Sequence, residues 1–248
     1  MSQISTALII GASRGIGLAI TESLLNTAGL RFVCATCRNP ETVTGLLAQG
    51  DPRLKLFQAE VTDEKSLMQL ANDINRLDIQ PELVIHCAGI LHEPGLQPEK
   101  SLRQCKAEAL QRLFAVNSIG PLMAAKAIIP LLPKQQPAHF AVLSAMVGSI
   151  GDNRLGGWYG YRASKAALNQ LLRTLSIECR RTHPELCITA IHPGTTDTGL
   201  SAPFQANVKP GKLYTAAQSA NRILEVVLAG QPEESGRFVN WNGSPMPF

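Results

Sequence analysis

Short apolar runs and stretches of helical spacing alternate along this chain from end to end. The runs predict strands over Ala7–Ile10, Arg31–Cys37, Leu54–Glu60, Leu83–His86, His139–Ser144, Cys187–His192 and Arg237–Asn240. Between them apolar residues recur every three or four positions. That spacing predicts helices over residues 15–28, 41–49, 63–77, 103–115, 117–132, 161–182 and 215–230. Strand then helix, repeated, implies a parallel sheet with helices on both faces. The expected architecture is α/β, a doubly wound parallel sheet of about seven strands.

Composition changes this picture little. A length of 248 residues suits one domain, 1–248, with a large core, and no repeat or linker divides the chain. The Gly/Pro-rich segments at 148–157 and 193–212 are read as loops within that domain. Basic residues exceed acidic ones, 23 to 19, giving a net charge of +4. They are scattered, so no nucleic-acid partner is expected. The N-terminus lacks a secretory pattern. The apolar stretch around Pro121–Leu132 is interrupted by Lys126 and Pro130, so no membrane span is expected. Six cysteines are spread along the chain, and Cys34 and Cys37 have no second pair or His cluster beside them. A metal site is therefore not expected, and reduced thiols in a cytoplasmic protein are.

Ligands of an open parallel sheet bind beyond the carboxyl ends of its strands, and the informative motifs follow strand ends. Gly11-Ala12-Ser13-Arg14-Gly15-Ile16-Gly17 lies between the first strand and the first helix. Glycines there let the backbone turn tightly and approach a pyrophosphate at the helix N-terminus. The second strand ends at Cys37-Arg38 with no Asp or Glu to bind ribose hydroxyls. Arg38 and Arg14 suit a 2′-phosphate instead, which favours NADP(H) over NAD(H). Two solvated arginines are the plain alternative. Glu60 and Val61, at the end of the third strand, are candidate adenine contacts, although Thr62 or Asp63 equally reads as a helix cap. Cys87-Ala88-Gly89 offers small residues over which a cofactor can pass. His86 reads as a hydrogen-bonded core residue. Asn117 interrupts a helical region as a kink that exposes a carbonyl, or as the N-cap of the next helix. Ser144 ends the fifth apolar run and offers a hydroxyl, with Ser149 as its rival. Pro193, Gly194, Thr196 and Thr198 follow the sixth strand as candidate nicotinamide and phosphate contacts. Residues 196–212 read as a substrate lid or a plain surface loop.

Tyr161 and Lys165 stand four apart, one above the other on a helix face. An ammonium about 4 Å from a phenol is worth roughly 4 kcal/mol at an effective dielectric of 20, an upper limit of about three pKa units. The expectation is a phenol made acidic enough for general acid–base work.

Taken together, Gly11, Gly15, Gly17, the Ala88-Gly89 turn, Asn117, Ser144, Tyr161, Lys165 and Pro193-Gly194 resemble the classical short-chain dehydrogenase/reductase family over essentially the whole chain. Residues 35–40 and 236–243 are similar to its carbonyl-reductase branch, which includes sniffer-like and C-factor-like proteins. The chain departs from the family pattern at Ile10, where Thr is usual, at Glu60, where Asp is usual, and at His86-Cys87, where Asn-Asn is usual. The stretch from Ser144 to Tyr161 is also longer.

The resemblance implies a Rossmann-type fold with a cofactor half roughly over 1–145 and a catalytic half roughly over 146–248. It implies hydride transfer between NADP(H) and a small carbonyl or alcohol. Tyr161 would be the general acid/base, Lys165 would lower its pKa and hold the nicotinamide ribose, Ser144 would hold the carbonyl oxygen, and Asn117 would anchor a water. It further implies a homodimer or homotetramer packed through the helices near 103–132 and 161–182. The competing reading is a nucleotide-binding signalling protein with little catalysis. A sugar-nucleotide epimerase would need a longer chain.

Overall fold

The structure, a computed structural model, describes residues 4–248 apart from 44 and 47–49. The elements in order are β1 (Thr6–Ile10), α1 (Gly15–Leu25), β2 (Phe32–Cys37), β3 (Leu54–Gln58), α2 (Glu64–Arg76) and β4 (Leu83–His86). Then come α3 (Ala107–Phe114), a π-helical turn (Ala115–Ile119), α4 (Gly120–Ile128), β5 (Ala138–Leu143), α5 (Tyr159–Thr182) and β6 (Leu186–His192). The chain closes with β7 (Thr195–Thr196), β8 (Leu213–Tyr214), α6 (Ala216–Leu228) and β9 (Arg237–Asn240). The helix expected over 41–49 lies partly outside the described residues. Its described start is a single turn, Pro40–Thr42.

Seven parallel strands form one sheet in the order β3-β2-β1-β4-β5-β6-β9. From β1 the chain builds outward to β3, then crosses back to place β4 on the other side of β1. That reversal opens a crevice beyond the ends of β1 and β4, the usual ligand position in such sheets. Alternate residues of each strand feed two separate cores. Leu8, Ile10, Val84, Phe140 and Val142 pack under α2, α4 and α5. Ala7, Ile9, Val33, Ile85 and Ile191 pack under α1 and α6. Burial on both faces explains why the strands read as continuous apolar runs rather than alternating ones.

Several boundaries differ from expectation, each for a physical reason. β3 stops at Gln58; Ala59 still donates to Cys37 O, but Glu60 N turns to Ser66 Oγ at the start of α2. The helices expected at 103–115 and 117–132 join into one. Pro121 has no N–H to donate, so the ladder could not continue through it in α-helical register. The π turn, in which Gly120 N bonds Ala115 O, carries the chain past that residue. Among the described residues, the joined Ala107–Leu131 helix is the one long and apolar enough to cross a membrane, with a mean hydropathy of 1.4. It is largely buried within the fold. The loop over 196–212 is bracketed by the short parallel pair β7–β8 and carries a 3-10 segment, Ala202–Asn207.

Candidate active site

The turn between β1 and α1 is built as an anion cradle. Gly11 and Gly15 have φ of 88° and 57°, which other residues adopt only with strain. Gly11 N and Ala12 N both donate to Thr36 O, drawing the turn toward β2. A Cβ at Gly17 would lie 2.1 Å from Gly11 O, so only glycine lets α1 begin this close to the turn. No side chain caps α1, and its first-turn amides point outward, where an anion can accept from them. Ser13 and Ile16 line this turn half-buried. Arg14 and Arg38 are exposed at the ends of the adjacent strands β1 and β2.

Next to the cradle, Cys87 N donates to Ile10 O, and a Cβ at Gly11 would sit 2.8 Å from Ala88 N. Burial pushes the Cys87 thiol up to about 12, so it stays protonated. Gly89 continues the turn. A Cβ there would be 3.3 Å from Asn117 Oδ1 and 3.7 Å from Lys165 Nζ. The two halves of the crevice thus meet at consecutive residues, Ala88 and Gly89.

Asn117 lies in the middle of the π turn and is not an N-cap. Its amide pairs with both backbone groups of one residue: Oδ1 accepts from Ile90 N at 2.9 Å and Nδ2 donates to Ile90 O at 2.8 Å. Nδ2 also reaches Ser164 Oγ at 3.1 Å, and Ser118 Oγ donates to Ser164 O at 2.7 Å. The π turn therefore locks the post-β4 loop to α5.

Helix α5 begins at Tyr159, two residues before the expected start, because a distant carboxylate caps it. Glu99, only 2% exposed, accepts from Gly160 N through Oε2, and its carbonyl accepts from Trp158 N. Trp158 has φ 51°, a left-handed conformation uncommon for a bulky residue. These contacts hold it there. One turn on, Tyr161 and Lys165 are both buried, at 7% and 4%. Lys165 Nζ donates to Leu143 O at 2.8 Å and lies 5.9 Å from the Tyr161 ring centroid.

The expected acidification of the phenol is overturned here. Burial pushes Tyr161 above its ordinary value and pulls Lys165 down to about 8. Loss of water is the cause in both.

Ser144 also departs from expectation. Its hydroxyl donates to Asn169 Oδ1 at 2.7 Å, deep along α5. Ser149 is 2% exposed and accepts from Asp152 N. Glu60 folds back to accept from Thr62 N and Oγ1, while Asp63 caps α2 through Lys65 N. His86 is fully buried with no hydrogen-bond partner among the described residues, unlike the bonded core residue expected. Burial, then the Lys165 charge, lowers it to about 3, so it is neutral.

Beyond β6, Pro193 and Gly194 turn the chain under the rings of Tyr214 and Trp241. Thr196 is 4% exposed and bonds Ser219 Oγ at 2.7 Å, so its hydroxyl faces α6 rather than the crevice. Thr198 does reach the cradle, with Cγ2 3.2 Å from a Cβ at Gly15. The segment that follows folds over Tyr161. His92 Nε2 lies 3.0 Å from Gly199 O, and Phe204 meets Trp158 edge-on at 5.0 Å and His92 at 5.8 Å. Trp158 in turn meets Tyr161 at 6.2 Å. Leu91, Leu96, Leu113 and Ala145 complete this third apolar cluster. All six cysteines are free, and no metal-binding group occurs among the described residues.

Glu99, Trp158, Phe204 and Asn169 were not anticipated as site residues. Gly157 and Gly160 flanking an aromatic pair were a local signal for Trp158. Nothing in the sequence ties Glu99 or Asn169 to their partners.

The sequence profile described as short chain dehydrogenase matches residues 5–209. The chain belongs to the short-chain dehydrogenase family. This dehydrogenase is similar in structure to the NADPH-bound carbonyl reductase from chicken fatty liver, at 29% identity and a TM-score of 0.87, covering 99% of this chain and all of that one. It is also similar to the carbonyl reductase Sniffer of D. melanogaster, at 26% identity and 0.86, with the same coverage. The 1-hydroxy-2-glutathionyl-2-methyl-3-butene dehydrogenase of a Rhodococcus species is 28% identical over 97% of this chain and 98% of its own. The C-signal protein of Myxococcus xanthus is 34% identical over 56% of this chain and 78% of its own. The dehydrogenase is accordingly an oxidoreductase with a single Rossmann-type domain.

Proposed function

We propose that this protein is an NADP(H)-dependent carbonyl reductase acting on a small carbonyl or alcohol with Tyr161 as its general acid. One observation carries the reading. Ala88 touches the glycine cradle while the next residue, Gly89, lies beside the Lys165 ammonium and Asn117. A dinucleotide held by the cradle would have its far end at the Tyr161 helix.

The residues fit such a cofactor. The uncapped first turn of α1, with Gly11, Ser13, Gly15, Ile16 and Gly17, would hold the pyrophosphate. Arg14 and Arg38, with no carboxylate at the end of β2, suit a 2′-phosphate. Glu60, Val61, Cys87 and Ala88 would flank the adenosine, Pro193, Gly194, Thr196 and Thr198 the nicotinamide, with Thr196 offering backbone only. When bound, NADPH supplies the hydride.

This chain's own part is proton transfer and positioning. The buried Tyr161 phenol is fully protonated at neutral pH, the form that gives a proton to a carbonyl oxygen. Lys165, fixed by Leu143 O, contributes a positive charge near the alkoxide that develops, in a site with little water to screen it. Asn117 holds the π turn against α5 and so keeps Lys165 beside Gly89. The test is Tyr161→Phe. It should abolish NADPH oxidation by a carbonyl panel while NADPH still binds, and a variant as fast as the parent would refute the role.

The C-signal relative supports a second reading, a nucleotide-binding signalling protein. Tight NADPH binding with no turnover of any aldehyde, ketone or quinone would favour it.

A further inference from the structure

We infer that Ser144 is a positioning residue acting through Asn169, so that Tyr161 is left as the one side-chain donor to the reacting oxygen. The inference rests on the carbonyl-reductase reading above. It begins with the end of β5, where two consecutive residues hold two consecutive turns of α5. Leu143 O accepts from Lys165 Nζ, and Ser144 Oγ donates to Asn169 Oδ1 at 2.7 Å. Ser144 N donates to Ile191 O, which fixes this corner to β6. Ser144 and Asn169 are 4% and 2% exposed, so water does not compete for their bond.

Geometry then separates Ser144 from the phenol. Asn169 follows Tyr161 by eight positions, about 12 Å along the helix axis. The Tyr161 side chain leans further toward the helix N-terminus, away from Asn169. The residue after Ser144 is extended, with φ −149° and ψ 147°, so its side chain points to the opposite side. That residue is Ala145, and it belongs to the apolar cluster that contains Tyr161. The position just beyond β5 that packs with the phenol therefore carries a methyl group. Ser149 lies past the 3-10 turn that follows Ala145, 2% exposed, with its oxygen held against Asp152 N of the next loop and outside the apolar cluster that contains Tyr161.

Two consequences follow for the NADPH-loaded enzyme. A preorganised donor at a developing oxyanion is worth roughly 100- to 1,000-fold in rate. Ala145→Ser adds a hydroxyl on the phenol's side and should raise kcat by about tenfold or more, with KM little changed. Ser144 and Asn169 should behave as one unit. Ser144→Ala and Asn169→Ala should lower the melting temperature and kcat by similar factors, and the double variant should be little worse than either single one.

Three results would overturn the inference. One is a loss of about 100-fold or more in Ser144→Ala that Asn169→Ala does not share. Another is additive effects in the double variant, and the third is no gain in Ala145→Ser. If a cavity variant fails to fold, Ala145→Ser decides alone. If the parent turns over no carbonyl, or Tyr161→Phe matches it, the functional reading falls. Coupling of melting temperatures between 144 and 169 still supports the positioning pair, and additivity still overturns it.

Discussion

Replacing Gly17 by alanine probes the cradle most directly. The added Cβ would stand 2.1 Å from Gly11 O, 0.9 Å inside the 3.0 Å that real Cβ atoms respect, and 3.1 Å from Cys87 Cβ. The obstacle is backbone, so no rotamer change relieves it. Either α1 slides outward by about 1 Å or the Gly11 peptide rotates. Overpacking of this kind costs about 1–3 kcal/mol, and the upper end applies because the clash is with a carbonyl. Alanine returns up to about 1 kcal/mol in helix propensity. The net loss is about 2 kcal/mol, a fall in melting temperature of roughly 4–8 °C for a chain of this size. The cofactor should lose more than stability does. The same slide misaligns the first-turn amides, and each charge-assisted bond lost costs about 1.5–3 kcal/mol, so NADPH should bind about 10- to 100-fold more weakly. Thermal melts and titration of NADPH fluorescence measure the two effects. Gly45→Ala is the control, since nothing among the described residues lies within 4 Å of a Cβ there. A Gly17→Ala protein that melts and binds like the parent would refute the close-approach argument.

Other perturbations follow from the same geometry. Lys165 falls from 10.5 to about 8, so the folded state favours the neutral amine. Its burial penalty is in force below pH 8 and fades as pH rises toward 10.5, about 3 kcal/mol in all at ~1.4 kcal/mol per pH unit. Lys165→Met should therefore be inactive yet at least as stable as the parent at pH 7, an advantage that urea melts should find gone at pH 10.5. Carbonyl reduction by the parent should decline as pH rises through about 8, where the ammonium is lost while Tyr161 stays protonated. Arg38→Asp should weaken NADPH and improve relative use of NADH by about 100-fold, read as the ratio of kcat/KM values, since it replaces a charged partner by a repulsive one. Glu99→Ala leaves Gly160 N unpaired in a buried site and should cost about 1–3 kcal/mol and much of kcat. Glu99→Gln, which keeps an acceptor, should restore most of both.

What the sequence made legible was local. The glycine turn, the Tyr161–Lys165 spacing and the apolar strands each depend on residues within a few positions, and the parallel sheet, though not its strand order, follows from their alternation. The π turn was half-legible: Asn117 announced a disturbance, and the joined helix resolved it. Long-range pairings were not legible. Ser144 ends an apolar run as expected, but which way its hydroxyl turns depends on Asn169 in another element. The start of α5 depends on Glu99, far upstream. The sign of the Tyr161 shift was misjudged because spacing gives the distance between charges and says nothing of how much water they lose. That Ser219 claims the Thr196 hydroxyl, leaving only its backbone for a ligand, is likewise a pairing between distant residues.

The aromatic contacts above Tyr161 carry one consequence of their own. Phe204 touches Trp158, and Trp158 touches Tyr161, so a ring from the segment after β7 leans directly on the indole beside the phenol. A guest that reached the phenol from that side would have to part the two rings. Docking and uncovering are then a single event, and Trp158 emission is a built-in gauge of it that needs no added dye.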